Sequence, residues 1–192
     1  MTSPDAKLRE VFDATRARYR KLYAPLEGVS EEQARFRPAE GAWSIGELAH
    51  HVALSQGRVL GALRRLLEQA ERSGLGPDTD PATALSSLDF IVERAAQEKF
   101  KAPPQAVPEY GRALAATVRE LRAQESELEA LLPRLARRDP RRLKFPHPSF
   151  GDFDAYQWIL FLGGHAARHA GQMASVAGHP DWPTPNRPGA PA

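Results

Sequence analysis

The sequence predicts an all-α fold with a single domain. Apolar residues recur at helical spacing along several segments, and serine residues suited to capping helices precede some of them. One long segment sets a row of leucines against a face on which arginine and glutamate are interleaved, which is typical of a solvated helix surface. With 192 residues, 42% hydrophobic and 26% charged, the chain is long enough to bury one sizeable core.

Three helices are predicted in the first part of the chain. We expect the first to begin at Ser3-Pro4-Asp5, which offers a serine cap and a proline in the first turn, and to end before Pro25. A capping box over residues 30–33 predicts a short helical turn. A second capping box, Ser44-Ile45-Gly46-Glu47, opens a long helix that we expect to extend to about Arg72.

The second part of the chain contains three more predicted helices. A moderate helical pattern covers residues 85–100, and a long helix is predicted over residues 109–135. The final helix is predicted over residues 155–177, with Asp152 or Asp154 as its cap.

The regions between and after these helices are rich in proline and charge. Residues 145–153 are predicted to form a rigid loop. A dense basic segment, Arg137 to Lys144, could attract an anionic ligand, but such short clusters more often only keep a protein soluble. We expect residues 1–180 to form the domain and residues 181–192 to be an irregular or disordered tail.

Composition excludes several classes of protein. The formal net charge is +2 and no compact basic stripe stands out, so nucleic-acid binding is not predicted. The absence of cysteine excludes disulfides, thiolate metal sites and a cysteine nucleophile. The first residues lack the basic flank and apolar run typical of a signal peptide, and no apolar run reaches the roughly 20 residues that span a bilayer. We therefore expect a cytoplasmic protein without membrane partners.

Two histidines on the final predicted helix are candidate metal ligands. His165 and His169 are four residues apart and therefore lie on one helix face, about one turn from each other. At about 100° per residue, they fall within roughly 40° of the apolar positions of this helix, which are Trp158, Leu162 and Val176. Gly163 and Gly164 precede them, which indicates close approach of another helix or room beside a site.

A third inward-facing histidine is predicted on the helix that begins at Ser44. Relative to Leu48, His51 falls about 60° away, at the edge of the apolar stripe, whereas His50 falls about 160° away. We therefore expect His51 to reach the interior and His50 to be solvated.

Three neutral imidazoles on two helices could hold a divalent ion and leave coordination positions open. Zinc, nickel, iron(II), manganese and cobalt all accept such ligands, and the sequence does not choose among them. The alternative is that these histidines are hydrogen-bonded core residues. His147 and His179 lie in proline-flanked loops and are less favoured as ligands. No catalytic residue is identified from the sequence.

Two motifs resemble those of the DinB-like superfamily, which includes the YfiT-type proteins. The segment from Trp43-Ser44 through Glu47 to His51 is similar to the family's first signature. The run from His147-Pro148-Ser149-Phe150-Gly151 through Trp158 to His165-Ala166-Ala167-Arg168-His169 and Gln172 is similar to its second. The resemblance implies a four-helix bundle in which His51, His165 and His169 bind a divalent metal. Homodimers are common in this family, so the resemblance also implies a homodimer.

The resemblance also implies a range of activities. Family members include metal-dependent S-transferases that use bacillithiol, mycothiol or glutathione, so a thiol S-transferase acting on small-molecule electrophiles is the first hypothesis. Arginines such as Arg168, Arg141 or Arg142 could orient carboxylates of the thiol. The alternatives are a metal-dependent hydrolase and a non-catalytic metal-binding or stress-response bundle. A hydrolase needs a general base, and the sequence offers no obvious carboxylate near the histidines.

Overall fold

Four long α-helices, one short α-helix, three short 3₁₀ turns and a two-stranded hairpin form the part of the chain that the structure describes. The structure is a computed structural model, which describes residues 3–80 and 101–184. The elements are α1 (Pro4–Tyr23), α2 (Glu31–Arg35), α3 (Ile45–Arg72), α4 (Leu114–Leu135), β1 (Phe145–His147), β2 (Gly151–Phe153) and α5 (Ala155–Ala177). The helix predicted at 85–100 and the tail residues 185–192 lie outside the described residues. None of the described helices is long and apolar enough to cross a membrane.

Side-chain caps determine where the two helices that carry the histidines begin. At the start of α3, the Glu47 N–H donates to Ser44 Oγ at 3.2 Å, and the Ser44 N–H donates to Glu47 Oε2 at 3.0 Å. Asp154 and Gln157 form the same reciprocal pair at the start of α5. Each cap satisfies backbone N–H groups that the helix leaves without partners. The predicted bounds of both helices are confirmed.

The four long helices form a closed bundle. Helix α1 packs along α5, α5 packs against α3, α3 packs against α4, and α4 packs against α1. Their inward faces supply fully buried apolar side chains, including Leu8, Phe12, Leu63, Leu128 and Ile159. Burial of these side chains is the main favourable contribution to folding. The predicted all-α, four-helix-bundle fold is confirmed.

The two glycines before His165 have different roles. A Cβ at Gly163 would lie 2.9 Å from Thr15 Cα in α1, so α5 and α1 approach closely there. In the same contact, the Thr15 hydroxyl donates to the Ile159 carbonyl at 2.8 Å. A Cβ at Gly164 would meet nothing within 4 Å. One glycine therefore permits helix contact, and the other leaves room beside the histidines.

We expect alanine to have opposite effects at these two positions. Gly163→Ala should destabilise the fold by about 1–3 kcal/mol, because the added methyl group would overlap the backbone of α1. Gly164→Ala should stabilise it by up to about 1 kcal/mol, since the methyl group meets open space and alanine favours the helix. Urea unfolding of both variants measures the difference. Equal effects would contradict the close contact at Gly163.

A strap, residues 101–113, packs against α3 before α4 begins. The prediction that α4 starts near Glu109 was wrong, since α4 starts at Leu114. Gly111 adopts a positive φ of 78°, which a continuous helix does not allow. The first N–H of α4, on Leu114, donates to Glu31 Oε1 of α2 at 3.1 Å. Because this cap comes from a distant element, local sequence did not reveal it.

Residues 145–153, predicted as a rigid loop, form a β-hairpin. Strands β1 and β2 are antiparallel, with Phe145 opposite Phe153 and His147 opposite Gly151. The hairpin is attached to α5 through Trp158, whose Nε1–H donates to the Phe145 carbonyl at 3.1 Å. The Trp158 and Phe145 rings stack with centroids 4.2 Å apart. These contacts place the hairpin beside the helix that carries His165 and His169.

The beginning of the predicted tail is packed on the bundle. Residues 181–184 are irregular, as expected. However, the Trp182 ring contacts the Phe36 ring with centroids 5.6 Å apart. The Gln33 side-chain amide also donates to the Pro183 carbonyl at 2.7 Å. The ordered contacts of the chain therefore extend beyond the boundary predicted at residue 180.

Candidate metal centre

Three histidine side chains from two helices converge between α3 and α5. The Nε2 atom of His165 lies 3.3 Å from Nε2 of His51 and 3.1 Å from Nε2 of His169. One ring nitrogen from each residue lies within 4.8 Å of the others. The structure thus brings together the three residues that the sequence singled out, and we refer to them as the histidine triad.

Hydrogen bonds at Nδ1 orient two members of the triad. His51 Nδ1 lies 2.6 Å from the carbonyl oxygen of Ala106, which can only accept, so Nδ1 carries the proton. His169 Nδ1 lies 2.7 Å from Gln172 Oε1, where it donates in the same way. Both residues therefore present the lone pair of Nε2 toward His165. Partners of this kind are typical of histidines that bind metals through the other nitrogen.

The converging nitrogens fit a cation better than they fit one another. A neutral His165 has at most one proton on Nε2, so it can donate to His51 or to His169 but not to both. One lone pair then faces another nitrogen without a proton between them. A divalent ion would accept all three lone pairs. Metal–nitrogen bonds of about 2.0–2.1 Å in a tetrahedral site separate the nitrogens by about 3.3–3.4 Å, close to the 3.3 and 3.1 Å of the two pairs that include His165.

The surroundings keep the triad neutral, which is the form that binds metal. Burial lowers the pKa of His169 to about 3 and lowers that of His165 well below its usual value. Burial also lowers the pKa of His51, although the hydrogen bond to Ala106 opposes this effect. The positive charge of Arg168 lowers all three pKa values further. Because the imidazoles are uncharged near neutral pH, no proton competes with a metal ion there.

Aromatic side chains surround the triad. The Trp43 ring lies 4.9 Å from the His51 ring, and the Phe161 ring lies 5.6 Å from the His165 ring, measured between centroids. His147 packs against Phe161 with centroids 4.8 Å apart and is not one of the three converging histidines. Burial lowers the pKa of His147 to about 4, so it is also neutral. Trp43 and Phe161 therefore line the site.

The triad opens into a cleft of about 1560 Å³, lined by α1, α3, the strap, the hairpin and α5. Five basic side chains line this cleft: Arg18, Arg58, Arg65, Lys101 and Arg168. Within residues 3–80 and 101–184, none of the five forms an ion pair, and no aspartate or glutamate lines the cleft. A cleft with uncompensated charge of one sign attracts ligands of the opposite sign.

The basic segment 137–144 is not part of this cleft. Arg141, suggested from the sequence as a carboxylate partner, pairs instead with the buried Asp78 and with Asp139. Arg142 does not line the cleft either. Of the three arginines that the sequence suggested, Arg168 is the one that lines the cleft beside the triad.

The prediction that His50 is solvated was wrong. Its side chain is 4% exposed, and its Nδ1 accepts the N–H of Glu109 at 3.0 Å. The helical count placed His50 about 160° from Leu48, but His50 and His51 are both buried, on a side of α3 that the strap contacts. The strap covers that side, and the periodicity of α3 contains no information about a covering segment.

Sequence reasoning missed several residues of the site. Arg58 and Arg65 follow His51 by seven and fourteen residues, so about two and four helical turns return them to its face. This spacing could have identified them. The Ala106 carbonyl carried no such signal, because any residue supplies a backbone oxygen. Gln172 was named only as part of the second family motif and was given no role, although it follows His169 by the three residues that allow contact on a helix.

Comparisons with known proteins agree with this architecture. The family model of the DinB superfamily matches residues 11–173. The uncharacterized protein YuaE of Bacillus subtilis (strain 168) is 26% identical over 152 residues, which are 79% of this chain and 87% of that protein. The crystal structure of TT2238, described as a four-helix bundle protein, superposes with a TM-score of 0.56 at 21% identity. It covers 88% of this chain and 98% of TT2238. At this identity the likeness concerns the fold alone.

Proposed function

The chain belongs to the DinB superfamily, and from that premise we propose that it is a metal-dependent thiol S-transferase that acts on small-molecule electrophiles. In this proposal, His51, His165 and His169 bind one divalent ion. The observation that carries it is the convergence of three neutral imidazoles, with Nε2 atoms 3.1 and 3.3 Å apart, on the wall of an open cleft.

The chemistry requires an activated sulfur nucleophile. A divalent ion at the triad would lower the pKa of a thiol that coordinates it, so that the thiol reacts as a thiolate near neutral pH. In the overall reaction, sulfur bonds to the electrophilic carbon. With an aryl halide, the halide departs with the bonding electrons and the thiol proton passes to solvent. With an epoxide or an enone, the electrons of the broken bond stay on the ring oxygen or the enolate, which takes up a proton. Because the chain has no cysteine, the thiol is a cosubstrate.

The cleft has surfaces suited to both substrates. The basic side chains that line the cleft, including Arg58 and Arg65, can bind carboxylates of an anionic thiol. Arg168 lies beside the triad and attracts negative charge toward it. The aromatic side chains of Phe150 and Phe161 line the same cleft and can pack against apolar parts of an electrophile.

Two alternatives are less well supported. A non-catalytic metal-binding bundle would need no access to the ion, whereas all three histidines line the open cleft. A metal-dependent hydrolase would need a general base to deprotonate water. Among the described residues that line the cleft, no carboxylate is available for that role. Both observations favour the S-transferase.

Metal analysis followed by a thiol-consumption screen tests the proposal. Protein purified without a histidine tag should contain about one divalent ion per chain, measured by inductively coupled plasma mass spectrometry. Metal-loaded protein should then consume an anionic thiol such as glutathione with at least one electrophile among an activated aryl halide, an epoxide and an enone. Mass spectrometry of the thioether product identifies the reaction.

Metal-free protein is the control for this screen. It should consume thiol at the rate of the reaction without protein. If stoichiometrically loaded protein consumes no thiol with any electrophile, the S-transferase proposal fails and the non-catalytic alternative is favoured. Release of acid from esters without thiol would favour the hydrolase instead.

A further inference from the structure

His50 and His51 are adjacent on α3, and both bind the backbone of the strap. His51 Nδ1–H donates to the Ala106 carbonyl at 2.6 Å, and His50 Nδ1 accepts the Glu109 N–H at 3.0 Å. The His51 side chain is 6% exposed, and the His50 side chain is 4% exposed. The strap backbone therefore bonds to α3 at two residues that are three apart: the Ala106 carbonyl accepts a hydrogen bond, and the Glu109 N–H donates one.

The contact with Glu109 fixes the tautomer of His50. Since Nδ1 uses its lone pair to accept the Glu109 N–H, a neutral His50 carries its proton on Nε2. Arg112 Nη1, 3.3 Å from Nε2, then faces a donor and cannot donate to it. Arg112 instead forms an ion pair with Glu120 at 2.6 Å. The hydrogen bond from Glu109 is thus the one that His50 makes with the strap.

The strap has little regular structure that would position Ala106 by itself. It contains one short 3₁₀ turn, Pro104–Ala106, in which the Ala106 N–H donates to the Pro103 carbonyl at 2.8 Å. Among the described residues, the hydrogen bonds between α3 and residues 103–110 come from His50 and His51. The contact that His50 makes three residues further along is therefore one of the two hydrogen bonds that hold this part of the strap on α3.

We propose that His50 is a positioning residue for the metal centre. By holding the Glu109 N–H, it keeps the strap where the Ala106 carbonyl accepts the Nδ1–H of His51. That hydrogen bond keeps the His51 lone pair on Nε2, directed at the other two imidazoles. The inference rests on the proposed metal site, but it assigns a role to a residue outside the triad.

The strap also forms part of the cleft wall. Lys101, Pro103 and Ala106 line the cleft together with the triad. A strap that loses its anchor at His50 would therefore change the orientation of a metal ligand and the shape of the substrate cleft together. His50 connects these two features because it is next to a ligand on α3 but faces the strap.

Three variants at position 50 separate the contacts. Asparagine places its side-chain oxygen near the position of Nδ1, so His50→Asn can still accept the Glu109 N–H. Glutamine places its oxygen nearer the position of Nε2, so His50→Gln loses that bond, and His50→Leu loses every polar contact. We expect His50→Asn to retain the wild-type metal affinity and the other two variants to lose about 10- to 100-fold, as when a ligand's hydrogen-bond partner is removed.

Competition with a chelating dye, using cobalt(II) and zinc(II) as the metals, measures this affinity. The visible absorption of bound cobalt(II) reports the coordination geometry and should change in His50→Leu but not in His50→Asn. Gln105→Ala, an exposed position on the same strap, should retain the wild-type affinity. Leu128→Ala removes a fully buried side chain of α4, away from the triad and the strap. It should lower the stability of the fold but retain the wild-type metal affinity, which separates lost stability from lost positioning.

A second measurement does not require metal. Nitrogen-15 NMR of metal-free protein reports which ring nitrogen of His51 is protonated. His51 should be protonated on Nδ1 in the wild-type protein and in His50→Asn, and should populate both tautomers in His50→Leu. If wild-type protein binds no metal but these tautomers follow the expected pattern, the proposed function fails, whereas the positioning of His51 by His50 stands. If His50→Leu retains both the affinity and the His51 tautomer, the positioning role is overturned.

Discussion

Replacing His165 with alanine should lower the affinity for a divalent ion by about a thousandfold or more. This loss exceeds the roughly 10- to 100-fold that follows removal of a ligand's hydrogen-bond partner, because one of only three protein ligands is lost. His165 is the member whose Nε2 lies within 3.3 Å of both others, so the remaining pair no longer surrounds a central point. Isothermal titration calorimetry on protein stripped of metal measures the change.

Thermal unfolding gives an independent measure of the same change. An ion bound to the folded state raises the free energy of unfolding by about 4 kcal/mol when its concentration is a thousand times the dissociation constant. The wild-type protein should therefore unfold at a higher temperature with metal than without, and His165→Ala should show no such difference. Chelation by a strong competitor should return the wild-type protein to the metal-free transition.

His147 provides the control for a histidine in the same cleft. Its Nδ1 accepts the Ser149 N–H at 3.1 Å, and its ring packs among the aromatic side chains of the hairpin and α5. His147→Asn, which can preserve that hydrogen bond, should retain both metal affinity and the metal-dependent stabilisation. If a variant with all three triad histidines replaced by alanine still binds the same ion stoichiometrically, the site assignment is wrong.

Neutralising the arginines of the cleft should weaken the binding of an anionic thiol. Arg58→Gln and Arg65→Gln should each raise the KM for glutathione about threefold to tenfold, less than for a buried charge pair because solvent screens these exposed groups. We expect kcat to change little, since both arginines act in binding the thiol and lie on α3 at a distance from His51. The variants should also show a weaker dependence of KM on salt concentration.

Arg64 is a matched control on the same helix. It pairs with Glu127 at 3.1 Å and does not line the cleft, so Arg64→Gln should leave the KM for glutathione unchanged. An uncharged thiol such as mercaptoethanol provides the second control, because its KM should be insensitive to all three substitutions. Equal effects of Arg58→Gln on charged and uncharged thiols would show that the arginine shapes the cleft rather than binding a carboxylate.

The bundle was predictable where local interactions determine it. The start of α3 follows from a capping pair three residues apart, Ser44 with Glu47, and the start of α5 follows from the cap at Asp154. The start of α4 was not predictable in this way, since the side chain that accepts its first N–H comes from Glu31, in another helix. The hairpin at residues 145–153 was missed because each strand has only three residues, too few for an alternating pattern to be distinguished from a loop.

The sequence by itself determined which histidines can meet. His165 and His169 share a face because a helix turns about 100° per residue, and the same count preferred His51 over His50. Tertiary structure decided what surrounds them: the Ala106 carbonyl that orients His51, the cleft with its basic side chains, and the strap that buries His50. Helical periodicity reports the phase of a residue within its own helix. Contacts between segments far apart in the chain depend on packing, which no short stretch of sequence contains.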